Sequence, residues 1–177
     1  AGGAHQRYLY SADGITFTPV NAGTISVRMA YGNGRFVGFT GGSSIRILPF
    51  GLGTFTESTA AVSSLGAGEE VYGGAYNDDT GRWALLTRKS VSASTYNWKI
   101  HYSDNDLSTF TAGPSLGDAS PDARLSFVDG QFRAILYTPS DNYTRLFSSS
   151  DAITWTEASF DIATRKGYGS LITNPFS

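Results

Sequence analysis

Short runs in which apolar and polar residues alternate recur along the whole chain, and tight turns separate them. Three segments share one form, in which an aromatic residue precedes a turn and a second aromatic residue follows it: residues 30–36, 75–83 and 126–132. Each contains an Asn-Gly, Thr-Gly or Asp-Gly pair, which supplies the positive φ angles that short hairpin loops require. The pattern therefore predicts antiparallel β-hairpins and no long amphipathic helix.

A Thr-aromatic-Thr triplet interleaves with these hairpins and occurs four times: residues 16–18, 54–56, 109–111 and 154–156. In the first complete copy of the combined unit we expect strands near 27–32, 35–40, 45–48 and 54–57. The unit is thus a meander of four strands. It repeats about every 45 to 50 residues, a period typical of β-propeller blades.

The two ends of the chain match complementary parts of one such unit. Residues 6–20 match its third and fourth strands, and residues 168–173 match its first. Pairing of the ends in one sheet would close a ring without an open sheet edge. We therefore expect a single all-β domain over 1–177, a small β-propeller of about four four-stranded blades whose termini share one blade. The shared blade lacks a clear second strand, so a larger ring closed by two chains, a homo-oligomer, stays open as an alternative.

Composition narrows the classes of partner and site. The formal net charge of -2 provides no cluster of cations for a phosphate backbone, so we expect no nucleic acid partner. The chain has no cysteine, which excludes disulfides, thiolate metal sites and a cysteine nucleophile. No apolar run approaches the roughly 20 residues that span a bilayer, so we expect a soluble protein without membrane insertion.

Residues 11–17, with the sequence Ser-Ala-Asp-Gly-Ile-Thr-Phe, resemble the Asp-box repeats of sialidase-like β-propellers, as do the weaker copies that end at Phe110 and Trp155. The resemblance implies that Asp13, Asp151 and either Asp104 or Asp106 form turns. It also implies that four aromatic residues pack between blades: Phe17, Phe55, Phe110 and Trp155. The repeats also look like propeller segments of bacteriophage tail-fibre and receptor-binding proteins.

The residues for catalysis that a sialidase would need are not evident in the sequence, and we expect no enzyme activity, catalytic residue, cofactor or metal site. The arginines are scattered over predicted strands and turns. His101 is interpreted as a partly buried strand residue, and Glu69 and Glu70 as a solvated loop edge. The oxygen-rich segments 77–79 and 104–106 are interpreted as turns because Asp and Asn side chains bond nearby backbone amides.

Loop length differs between the two expected faces of the propeller, since the connections between second and third strands vary while the other hairpins are short. We assign candidate ligand-binding residues to this variable face: Arg88, Lys89, Tyr96, Asn97, Trp98, Asp141, Asn142, Tyr143, Arg165 and Lys166. Aromatic rings stack on sugars, and Asn, Asp and Arg bond hydroxyls or carboxylates.

These features predict a non-catalytic recognition module, such as a phage tail-fibre or receptor-binding domain attached to a larger fibre. Its partner would be a surface glycan or protein receptor, and its location the virion or the extracellular space. Two alternatives remain: a structural virion or assembly protein that uses the propeller as a protein scaffold, and a sialidase-like glycan hydrolase.

Overall fold

A computed structural model describes residues 7–10, 15–16, 18–21, 28–49, 58–138 and 143–161. The regular secondary structure in these ranges consists of β-strands alone, which confirms the all-β prediction. Across the same residues, no helix is long and apolar enough to cross a membrane.

Fourteen strands occur in the described residues. A two-stranded sheet contains β1 (Arg7–Tyr10) and β2 (Thr18–Asn21). The first four-stranded sheet contains β3 (Arg28–Gly32), β4 (Arg35–Phe39), β5 (Ser44–Pro49) and β6 (Ser58–Ala61). The second contains β7 (Glu69–Asn77), β8 (Arg82–Ser90), β9 (Tyr96–Ser103) and β10 (Thr111–Ala119). The third contains β11 (Ala123–Val128), β12 (Gln131–Thr138), β13 (Tyr143–Ser149) and β14 (Thr156–Asp161).

Each four-stranded sheet is antiparallel, and its strands pair in chain order, so the predicted meander is confirmed. In the first sheet the three strands expected near 27–32, 35–40 and 45–48 agree with β3, β4 and β5 within about a residue. The described part of the fourth strand, β6, covers Ser58–Ala61, and the strand expected near 54–57 lies outside the described residues. Residues 168–173, which we expect to share a sheet with β1, lie outside the described residues.

The sheets pack face to face, and their first strands lie side by side, since β3 contacts β7 and β7 contacts β11. The middle sheet is buried on both faces, which explains the nearly continuous apolar run in β8. Trp83 and Leu85 point into the core shared with the first sheet. Leu86 points from the other face into the core shared with the third sheet. Strand alternation thus places one segment of the sequence in two cores.

The repeated aromatic residues differ in how far they are buried. Phe110 is buried in the core between the first and second sheets, as predicted. Trp155 is only half-buried, although it packs against the core between the second and third sheets. Phe17 and Phe55 lie outside the described residues.

A side-chain oxygen caps the turn between the third and fourth strands in each of the last two sheets. In the third sheet, the Asp151 carboxylate accepts hydrogen bonds from the backbone N–H groups of Ile153 at 2.9 Å and Thr154 at 2.8 Å. These bonds lower the pKa of Asp151 because they favour its charged form. In the second sheet the capping residue is Asn105, whose oxygen accepts from the Thr109 N–H at 2.9 Å. Asp104 and Asp106 lie in this turn, Asp106 with a φ of 55°, but the oxygen that caps it belongs to Asn105 and to neither aspartate.

Asp104 and Asp106 each pair with an arginine that directly follows the turn of the first hairpin of a sheet. Arg35 of the first sheet pairs with Asp106 of the second at 2.8 Å. Arg82 of the second sheet pairs with Asp104 and also donates to the backbone oxygen of Asp151 in the third. The repeated Arg position therefore joins neighbouring sheets at the face that carries the short turns.

Candidate functional site

A cavity of about 360 Å³ lies where the first strands of the three sheets meet. Strands β3, β4, β7, β8 and β11 supply its lining: Arg28, Met29, Phe39, Tyr72, Gly73, Gly74, Leu86, Ala123, Arg124 and Leu125. Gly73 and Gly74 of β7 leave room for the cavity because neither has a side chain. A Cβ at Gly74 would lie 2.7 Å from the Phe39 ring, whereas one at Gly73 would meet no atom within 4 Å. A side chain at either position would therefore crowd the core or reduce the cavity.

Tyr72 is the centre of a cluster of cationic and aromatic side chains at this cavity. The Arg28 guanidinium lies over the Tyr72 ring, 3.5 Å from its centre, and donates to the phenolic oxygen. The Arg88 guanidinium lies 4.4 Å from the same ring and 4.5 Å from the ring of Tyr96. The Tyr72 hydroxyl donates to the Asp122 carboxylate at 3.2 Å. Cation–π contacts of this kind hold guanidinium groups in place.

Three arginines lie at or beside the cavity, Arg28, Arg88 and Arg124, and they differ in whether a carboxylate pairs with them. Arg88 pairs with the Glu70 carboxylate at 2.5 Å and donates to the Pro121 carbonyl at 3.1 Å. Within the described parts of the chain, Arg28 and Arg124 form no ion pair. Arg124 donates to a backbone oxygen next to it, at 3.0 Å. Neither arginine of the cavity lining forms an ion pair within these segments, although the Asp122 carboxylate, which accepts from the Tyr72 hydroxyl, also attracts Arg28.

Burial is the main cause that lowers the pKa of Arg28. Tyr72 and Asp122 oppose this shift, and repulsion from Arg124 and Arg88 adds to it. A guanidinium nevertheless stays charged at neutral pH. An anion beside both Arg28 and the exposed Arg124 would offset their repulsion and give the partly buried Arg28 an ionic partner. The electrostatics of the cavity therefore favour a negatively charged ligand group.

The phenol of Tyr72 is a hydrogen-bonding group and not an activated nucleophile. Its side chain is 3% exposed, and burial raises its pKa above the ordinary value. The hydroxyl therefore stays protonated at neutral pH, with its proton directed to Asp122. The arrangement offers cations, hydrogen-bond donors and aromatic rings, which are the groups of a binding site.

Several residues that the sequence placed in long loops lie on strands instead. Arg88 and Lys89 belong to β8, and Tyr96, Asn97 and Trp98 belong to β9, so the connecting loop covers only residues 91–95. The strands extend further than expected because they pair with each other up to Ser90 and Tyr96.

Trp98 is a core residue, and its placement on a binding loop is wrong. Its side chain is fully buried, and its ring packs edge-to-face on Tyr72 at 4.8 Å. Its ring N–H donates to the Ser120 carbonyl at 3.0 Å. Successive side chains along β9 point to opposite faces of the sheet, and the Trp98 ring lies on the face that packs against the third sheet.

The other candidate residues divide into those near the cavity and those elsewhere. Arg88 contacts the Tyr72 ring directly. The half-buried Tyr96 lies on the other side of the Arg88 guanidinium and so joins the cluster through it. Lys89 is exposed, and Asn97 donates to Asp118 at 2.7 Å. The backbone of Tyr143 begins β13, while its side chain and four further candidates lie outside the described residues: Asp141, Asn142, Arg165 and Lys166.

Sequence reasoning missed Arg28, Tyr72 and Arg124, and treated the arginines as scattered. All three lie near the beginning of the first strand of a sheet. Aligning the first strands of the repeats would have placed them together, because those strands lie side by side around the cavity.

The interpretation of Glu69 and Glu70 as a solvated loop edge is also wrong. Both residues begin β7, and they face opposite sides of it. Glu70 pairs with Arg88, while the Glu69 side chain is 9% exposed and faces His101. His101 is fully buried rather than partly buried.

Metal coordination has no support in the described segments, where no three His, Cys, Asp or Glu side chains form a suitable group. The oxygen-rich segment 77–79 acts as a turn, since the Asn77 side chain accepts from the N–H groups of Asp79 at 2.9 Å and Thr80 at 3.3 Å.

No protein-family model matches this chain, and no curated protein sequence is similar to it.

Proposed function

We propose that the chain is a non-catalytic recognition module that binds an acidic group of a surface glycan or protein receptor at the central cavity. The observation that carries the proposal is the pair Arg28 and Arg124, which line the cavity and form no ion pair within the described segments. Arginine is well suited to this task because its planar guanidinium binds carboxylate, sulfate or phosphate through two parallel hydrogen bonds.

The architecture that we propose around this site is a small β-propeller of about four blades. Three meander sheets with adjacent first strands support it. The pair β1 and β2 would supply the third and fourth strands of a further blade, completed by the C-terminal segment. In such a ring the cavity would lie on the central axis, where loops from every blade can contribute to binding.

The setting that we propose is a phage tail-fibre or receptor-binding domain on a virion, and it rests on the resemblance of the repeats to such proteins. The variable connections between strands would surround the cavity and add contacts specific to one receptor.

Binding without catalysis is favoured over glycan hydrolysis by the state of Tyr72. Its phenol is buried beneath Arg28 and Arg88, and its pKa is raised. A nucleophile would need the opposite shift and access to the substrate.

The test is a glycan array with neutral, carboxylated and sulfated members, followed by titration of the tightest ligand. Arg28→Gln and Arg124→Gln should each weaken binding of an acidic glycan by at least about tenfold, since a charge-assisted hydrogen bond contributes about 1.5 to 3 kcal/mol. Arg133→Gln is the matched control. It removes the same charge from an arginine whose aspartate partner is 67% exposed and 3.8 Å away.

Equal binding by all three variants, or a preference for neutral glycans, would refute the anion site. Absence of binding to any glycan and to host cells would favour the structural scaffold alternative.

A further inference from the structure

A second polar cluster lies inside the fold, between β9 and the connection 62–68 that joins the first and second sheets. Its centre is His101, which is fully buried. One ring nitrogen, Nδ1, lies 2.7 Å from the Ser64 hydroxyl oxygen. The other, Nε2, lies 3.6 Å from a carboxylate oxygen of Glu69. The ring therefore ties the connection to the middle sheet.

These contacts fit a neutral ring in one tautomer. In this tautomer the Ser64 hydroxyl donates to Nδ1. The proton is then on Nε2, which has no hydrogen-bond partner among the described residues, since the nearest Glu69 oxygen lies 3.6 Å away. A second proton would have to sit on Nδ1, where it would displace the hydroxyl proton of Ser64. The serine would then have to turn its own proton away from its present acceptor.

The surroundings of His101 disfavour a positive charge. Directly opposite it on the neighbouring strands lie Leu85 of β8 and Ala112 of β10, which are apolar. The charged groups that face this cluster are Glu69 of β7 and Lys99 of β9.

The single negative charge of Glu69 is already shared between several donors. One of its oxygens lies 3.9 Å from the Lys99 ammonium, and the other accepts from the Gly66 N–H at 2.5 Å. A charged His101, itself fully buried, would thus place a second cation beside one carboxylate that Lys99 already approaches.

We propose that His101 is an acid-sensitive latch: its neutral ring holds the connection 62–68 against β9, and its protonation releases that connection. The latch also bears on the cavity, because Glu69 precedes Glu70, and Glu70 holds Arg88 beside Tyr72. Release of the connection would loosen Arg88 and weaken ligand binding, a consequence that rests on the proposed function.

The direction of the pH effect follows from burial. Burial lowers the pKa of His101 below the ordinary value of 6.5, Glu69 opposes the shift, and Lys99 adds to it. The stability that neutral His101 contributes is therefore complete above pH 6.5. It is lost as the pH falls through the lower pKa of the folded protein.

Hydrogen–deuterium exchange measures the latch without any ligand. The reporter amides are those of Leu65, Gly66 and Glu69, which all donate within the connection or at its end. We expect their protection factors, corrected for intrinsic exchange, to fall by about tenfold between pH 7.5 and pH 5. Amides of β12 in the third sheet serve as the internal control and should change little.

Three variants separate the latch from general acid sensitivity. His101→Gln cannot gain a proton, so its reporter amides should lose the pH dependence. His5→Gln removes the only other histidine of the chain and should keep it. Ser64→Ala breaks the tie to Nδ1 and should expose the connection at both pH values.

The latch is wrong if the wild-type amides stay equally protected at pH 5, or if His101→Gln keeps the full pH dependence. Greater protection at pH 5 would mean that a charged His101 binds Glu69 more tightly, which also overturns it. An acidic glycan from the array then tests the coupling: wild-type affinity should fall by about tenfold at pH 5, and that of His101→Gln should not. An exchange effect without any glycan binding would leave the latch standing and refute the proposed function.

Discussion

Replacement of Trp98 by alanine should destabilise the fold and is the sharpest test of the packing between the second and third sheets. The side chain is fully buried in the core that contains Ile100, Leu116 and Leu136. Truncation of a buried Trp or Phe to Ala costs about 3 to 5 kcal/mol, because transfer energy is lost and a cavity remains.

A second loss adds to this cost. The ring N–H of Trp98 donates to the Ser120 carbonyl, which is left without that partner in the variant. A neutral hydrogen bond contributes about 1 kcal/mol. We therefore expect a total near the upper end of the range, about 4 to 5 kcal/mol, a large share of the 5 to 15 kcal/mol that stabilises a typical domain.

Urea unfolding followed by tryptophan fluorescence and far-UV circular dichroism measures this loss, provided that the slope of the transition stays constant. Trp98→Phe should cost about 1 to 2 kcal/mol, because it keeps most of the apolar ring and loses the N–H donor. Val91→Ala is the control, since Val91 is 58% exposed and should change stability by less than about 0.5 kcal/mol. A loss below about 1 kcal/mol for Trp98→Ala would place the ring at the surface and refute the packing described above.

Three further predictions test the contacts between sheets and the capped turn. Gly32→Ala should cost about 1 to 3 kcal/mol in urea unfolding, because the new Cβ would lie 2.3 Å from the Tyr76 ring, whereas Gly73→Ala should change stability little. Asp151→Asn should remove the stability that the charged cap adds above the ordinary carboxyl pKa and that is lost as the pH falls below about 4, so acid unfolding scans of the two proteins should converge at low pH. Arg82→Gln should lower stability by about 1 to 3 kcal/mol, because it loses the pair with the largely exposed Asp104 and also the charge-assisted hydrogen bond to the Asp151 carbonyl, and unchanged stability would show that this link does not hold the sheets together.

The local elements could be predicted from the sequence to a large extent. The turn pairs at Asn33-Gly34 and Asp129-Gly130 adopt the positive φ angles that the hairpins require. The strands around them pair in register across short turns, so neighbouring residues alone decide these contacts. The repeat of the four-stranded meander followed from the same local signals.

The ends of strands were less predictable, because tertiary pairing extends them. Residues 88–90 and 96–98 resemble a loop by composition, with Arg, Lys, Asn and Ser in close succession. They lie on strands because β8 and β9 bond to each other along their full length, and the third sheet covers Trp98. Burial of a single aromatic ring depends on what packs above it, which alternation within the strand does not specify.

The cavity site depended on the tertiary structure entirely. Arg28, Tyr72 and Arg124 are separated by more than forty residues along the chain, and each occupies an ordinary strand position. The sequence by itself determined an all-β chain of repeated meanders with few charges and no cysteine. Only the packing of the three first strands side by side brought Arg28 and Arg124, which form no ion pair among the described residues, to one cavity. The electrostatic environment of a charge depends on distances through space and not on separation along the chain.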